Sequence, residues 1–114
     1  MEITVFDFRK EHGYLKIRFR NLPLGKKPEL SLFFWENGES LPHNHKKTRE
    51  FTYVAAGTLK EIRRVNGEYI EKFYTEGDLF EVPEGTEHVV ISVGVSVTLN
   101  FCEEELEMDV IENF

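Results

Sequence analysis

Four histidines occur in the 114 residues, and three of them sit close to Gly and Pro at the ends of apolar runs. His43 and His45 are two residues apart, so an extended segment presents both imidazoles on one side, as two ligands of one metal ion must be presented. Glu50 lies five residues beyond His45. In one unbroken strand that odd spacing would turn the carboxylate to the opposite face, but Lys46-Lys47-Thr48-Arg49 is polar enough to form a turn and return it beside the histidines. His88 opens a further run after Pro83-Glu84-Gly85, a tight-turn sequence that delivers its side chain to a fixed place. Three neutral imidazoles and a carboxylate form a nitrogen/oxygen donor set suited to Fe(II), Mn(II), Ni(II), Zn(II) or Cu(II) rather than to a thiolate-seeking ion. A His-x-His pair alone is often incidental, and its weight comes from the arrangement around it.

The elements that must position these side chains are strands. Leu15-Lys16-Ile17-Arg18-Phe19-Arg20 alternates apolar and basic residues, the period of a half-buried strand with one face in the core and the other wet. Leu30 to Trp35 is a short apolar run bounded by Pro28 and Gly38. Further runs cover 51–56, 58–65, 69–74, 79–82, 88–93 and 95–101. Asn66-Gly67 predicts a type I′ hairpin over residues 58–74, and Gly94 is expected to turn the last two runs back on each other. Many short strands with regular turns predict an all-β sandwich, jelly roll or barrel. Only the acidic tail, Glu103 to Asp109, has a composition open to helix, and its charges read as a solvated face.

Within this frame the sequence resembles the cupin superfamily. The first cupin motif is a Gly, five residues, His-x-His, three or four residues, Glu, six residues and Gly. Residues 38–57 read Gly38, four residues, His43-Asn44-His45, four residues, Glu50, six residues, Gly57. The second motif is a Gly, five residues, Pro-x-Gly, two residues, His, three residues and Asn. Residues 77–92 read Gly77, five residues, Pro83-Glu84-Gly85, two residues, His88, three residues, Ser92. Two departures stand out: the first gap is one residue short, and Ser92 replaces Asn, so any contact made by that Asn must be made otherwise. The length is that of one domain, residues 1–114, and the resemblance, which covers residues 38–92, implies that this domain is a double-stranded β-helix or jelly-roll barrel. It also implies a metal held by His43, His45, Glu50 and His88.

That fold carries a registry expectation. If Glu50 points inward, Thr52, Val54 and Ala56 follow it, and His88 takes Val90 and Ser92 with it. Phe51, Tyr53, Val89 and Ile91 then face out and need a cover, either another strand layer or a second subunit, and a homodimer is expected.

Composition excludes several classes. A formal charge of -7 repels phosphate backbones, so nucleic acid is not an expected partner. The charge is lopsided: residues 1–50 carry 10 basic and 7 acidic side chains, residues 51–114 carry 4 and 14. The lone Cys102 forms no internal disulfide and reads as a small apolar filler. No run is long and apolar enough for a membrane span and no secretory signal opens the chain, so a cytoplasmic protein is expected. His12 reads as a surface-turn residue, Trp35 as core, and Lys46, Lys47 and Arg49 as a solvated basic turn that could also attract an anion. For function, the sequence favours a metal-dependent enzyme acting on a small molecule by dioxygenase-type chemistry. Sugar or sugar-phosphate isomerisation and non-catalytic binding or sensing are the alternatives.

Overall fold

A computed structural model describes residues 1–24 and 28–114. Among the described residues nine strands follow in order: β1 Glu2–Phe8, β2 Tyr14–Arg20, β3 Glu29–Glu36, β4 His43–Asn44, β5 Glu50–Val65, β6 Glu68–Thr75, β7 Leu79–Val82, β8 Glu87–Cys102 and β9 Asp109–Val110. Every pairing is antiparallel. Among the described residues there is no helix, and so none long and apolar enough to cross a membrane.

Two strands of sixteen residues, β5 and β8, run the length of the molecule and pair with each other. Their register slips between Val54 and Thr58, where Gly57 sits at φ 84°. A Cβ at Gly57 would lie 2.4 Å from the Val95 carbonyl oxygen, so only glycine permits the bulge. On one side of this break the halves of β5 and β8 join β1, β2, β3 and β7. On the other they join β4, β6 and β9. The sheet is thereby curled into two faces of a jelly roll, as the strand pattern predicted.

The hairpin expected at Asn66-Gly67 is present, with φ 51° and 77° and Val65 facing Glu68. The reversal expected at Gly94 is not. Gly94 adopts φ 73°, but its N–H donates to Asn37 Oδ1 and its carbonyl accepts from the Asn37 N–H. Those bonds fix a bulge inside β8, which bends and continues to Cys102.

Registry follows parity up to the bulge. Glu50, Thr52 and Val54 are buried while Tyr53 is 41% exposed, and His88 and Ser92 are buried. Ala56 breaks the expectation: it lies in the bulge and is exposed, because an extra residue shifts which side chains point inward. Val89, expected to face out, is buried at 4% exposure.

Trp35, Val54, Leu59, Tyr74, Phe80 and Val82 form the main buried cluster, with Tyr74 and Phe80 stacked at 3.9 Å. Each full burial of such a side chain is worth roughly 1.5–3 kcal/mol. Trp35 and Leu59 also line a cavity, so the core serves as its floor.

Candidate metal centre

The sequence motifs meet at that cavity, which has a volume of about 300 Å³. His43 on β4 pairs directly with His88 on β8, and His45 follows one residue after β4. Gly85, in the turn before β8, donates its N–H to the His45 carbonyl at 2.8 Å, so the Pro-Glu-Gly turn holds the first motif against the second. All three rings are buried, and one ring nitrogen from each falls in a group whose members lie within 4.8 Å of one another.

Each imidazole is oriented from behind. His43 Nδ1 faces the Leu41 carbonyl, His45 Nδ1 lies 2.9 Å from the Glu107 carbonyl, and His88 Nδ1 lies 2.7 Å from Glu61 Oε2. Oxygen acceptors at Nδ1 select the tautomer that leaves a lone pair on Nε2, as metal-bound histidines require. His43 Nε2 and His88 Nε2 are 3.1 Å apart, and His45 Nε2 is buried without a hydrogen-bond partner. Two nitrogens each about 2.1 Å from one ion, seen from it at about a right angle, stand about 3.0 Å apart. The spacing and the orphaned nitrogen therefore fit a shared cation.

Electrostatics agree. Burial, then the neighbouring His88 and His45 rings, pull the His43 pKa down to about 3, and burial lowers that of His45. Both are neutral near pH 7, the form that binds a metal. Burial would raise the Glu61 pKa, but hydrogen bonds from His88 and from Arg63, whose Nε is 2.6 Å away, outweigh it and keep the carboxylate charged.

Glu50, at the start of β5, is buried and lines the same cavity, outside the compact group of histidine nitrogens. Its neighbour along the wall is a hydrogen-bonded polar row. Trp35 Nε1 donates to Thr98 Oγ1, Thr98 bonds Asn100 Oδ1, and Asn100 Nδ2 donates to Thr52 Oγ1. Ser92 stands where the motif has Asn: its Oγ accepts the Gly38 N–H at 2.9 Å and donates to the Gly94 carbonyl at 3.0 Å, tying the two motifs together.

Several contributors escaped the sequence reading. Glu61 is one. The basic face of β2 is another: Lys16 and Arg18 line the cavity, while Leu15, Ile17 and Phe19 take the opposite face. The face expected to be wet is the one turned inward, because the barrel interior at this point is the site itself. The acidic tail is the third. Its glutamates stay largely exposed, but Leu106 and Met108 wall the cavity and β9 pairs with β4. Lys46, Lys47 and Arg49 pair with tail and neighbouring acids, Lys47 with Glu107 at 3.2 Å and Arg49 with Glu103 at 2.6 Å, and do not line the cavity. Cys102 is 2% exposed and its thiol pKa is pushed up by burial, so it is a filler as expected.

A jelly-roll barrel whose cavity gathers three histidines that could hold a metal defines the class, and the comparisons make that class specific. Residues 32–101 match the Cupin domain family, and the chain belongs to it. No curated protein matches the chain in sequence. Similar solved structures include oxalate decarboxylase from Bacillus subtilis at pH 4.6, with a TM-score of 0.77 and 21% identity over 87% of this chain and 28% of that one. A structure reporting the substrate binding mode of oxalate decarboxylase gives 0.79 and 20% identity over 90% and 29%. One addressing the Mn(II) centres of the Bacillus subtilis enzyme gives 0.74 and 19% over 90% and 28%. The chain thus spans less than a third of these proteins, and the likeness is one of fold.

Proposed function

We propose that the chain is a metal-dependent enzyme, a single cupin domain over residues 1–114. It binds one divalent transition metal through His43, His45, His88 and Glu50 and acts on a small molecule by dioxygenase-type chemistry. The observation that carries this reading is the convergence of three Nε2 atoms whose Nδ1 sides are all engaged by oxygen acceptors. Bound there, the ion would supply Lewis acidity and, as iron or manganese, access to O₂ chemistry. The chain supplies the rest. Phe6, Phe8, Phe33 and Trp35 exclude bulk water, Glu61 fixes the His88 ring, and Glu50 offsets cationic charge.

Isomerisation needs a second acid or base at the reacting carbons. Beyond the proposed ligands no carboxylate or imidazole lines the cavity among the described residues, so an isomerase would have to use Tyr14 or Lys16 for that role. The Mn(II) centres of the structurally similar oxalate decarboxylase support a redox-active metal. A non-catalytic binding protein differs in having no free coordination position. The test is to load the protein with Fe(II) under anaerobic conditions and add nitric oxide. One iron per chain with a high-spin iron–nitrosyl electron paramagnetic resonance signal is expected. A fully loaded protein giving no such signal would overturn the enzyme reading.

We also propose a homodimer formed through the outer face of β1, β2, β3, β8, β5 and β7. Its support is a row of apolar side chains crossing all six strands: Val5, Ile17, Leu32, Leu99, Tyr53 and Leu79 are successive register partners. Val5, Tyr53 and Leu79 are 59%, 41% and 64% exposed. The row carries no ionisable carboxylate or ammonium, so two acidic chains meet there without the like-charge repulsion that operates elsewhere on the surface.

A further inference from the structure

Two cations line the cavity without a contact ion pair among the described residues, although Glu29 and Glu50 act on Lys16 from farther off. Arg20, on the same face of β2, is held by Glu29 at 2.6 Å, but neither Lys16 nor Arg18 forms an ion pair with any carboxylate among the described residues. Lys16 Nζ lies 5.8 Å from the Phe6 ring and 5.3 Å from the Phe33 ring, and the Arg18 guanidinium carbon lies 4.8 Å from the Phe6 ring. The ring faces steady the cations but carry no countercharge. Arg18 Nε is shut away from solvent and has no hydrogen-bond partner, a costly state for a charged donor. Among the described residues Glu50 is the only acid lining the cavity, so the pocket of a strongly acidic chain is itself cationic, and more so with a metal present.

We infer that Lys16 and Arg18 form an anion subsite and that the substrate is a small organic carboxylate with an apolar body. The inference rests on the proposed enzymatic reading only for the word substrate, since the subsite is built from β2 and does not require the ion. A carboxylate offers two coplanar acceptors, which suit a guanidinium N–H and an ammonium together. Phe6, Phe8, Tyr14, Phe33 and Trp35 give the remainder of the molecule an aromatic wall. The cavity, at about 300 Å³, matches the lower end of small-molecule sites.

The test uses benzoate, its neutral isostere benzamide and phenyl phosphate, titrated by calorimetry into protein freed of metal by chelation and into protein loaded with Mn(II). Benzoate is expected to bind at least about tenfold more tightly than benzamide in both forms, as loss of an ionic partner requires. Lys16→Met and Arg18→Met should each weaken benzoate about tenfold or more, while Lys16→Arg and Arg18→Lys retain most of the affinity and all four variants keep wild-type circular dichroism. Equal binding of benzoate and benzamide, no benzoate binding at all, or undiminished binding in both methionine variants would overturn the subsite. Tighter binding of phenyl phosphate than of benzoate would overturn the carboxylate assignment. Because the metal-free titration stands alone, a failure to load iron or to bind nitric oxide would sink the enzymatic reading and leave this result readable.

Discussion

At the scale of single residues, His88 is the most constrained group in the site. Its ring is 1% exposed, faces His43 through Nε2 and is held behind by Glu61. Replacing Glu61 with Gln keeps an acceptor near Nδ1 but removes the charge that favours an electron-rich ring. Metal affinity in Glu61→Gln is expected to fall by roughly 10–100-fold, with the fold intact. Competition against a chromogenic chelator measures it, and unchanged affinity would show that Glu61 is merely structural. The four proposed ligands could be found in the sequence because their spacing is local and each stands beside its own turn. Glu61 could not, since it reaches His88 across a strand pairing that joins residues 27 apart in the chain. Lys16 and Arg18 were visible as an alternating pattern, but alternation alone does not say which face is inside.

The tail is the element whose role differs most from its composition. Arg20 Nη2 donates to the Leu106 carbonyl at 3.3 Å and the Leu106 N–H donates to Glu29 Oε1 at 3.3 Å, so a half-buried group of β2 and a buried one of β3 pin it across the cavity. From there the Glu107 carbonyl orients His45. A chain ending at Glu105 loses that acceptor together with Leu106 and Met108. It should bind Mn(II) about tenfold or more weakly and melt at a lower temperature than the full chain. Equal affinity in both chains would show that His45 needs no help from the tail. A run of glutamates announces exposed charge, as is observed, but not where the backbone between those charges lies. Gly94 misled for a related reason: positive φ serves a turn and a bulge equally, and only Asn37, distant in sequence, decides between them.

At the scale of the whole molecule, the strand pattern and the two motifs were enough to anticipate the jelly roll, because the hairpin at Asn66-Gly67 and the period-2 runs restrict the topology strongly. The way β5 and β8 each serve both faces was hidden, since the break at Gly57 leaves two apparent strands in the sequence. The apolar row on the outer face predicts an assembly of two chains in sedimentation equilibrium, and Leu79→Glu with Tyr53→Glu should yield a single chain that keeps its metal. A wild-type protein sedimenting as one chain at micromolar concentration would remove the dimer. The central claim, that His43, His45, His88 and Glu50 grip one ion, is tested most directly by metal analysis of the Mn(II)-loaded protein and its four single alanine variants after exhaustive dialysis. One equivalent of manganese per wild-type chain and near-complete loss in each folded variant is the predicted result. A folded wild-type protein that retains no metal, or variants that retain it fully, would contradict the account.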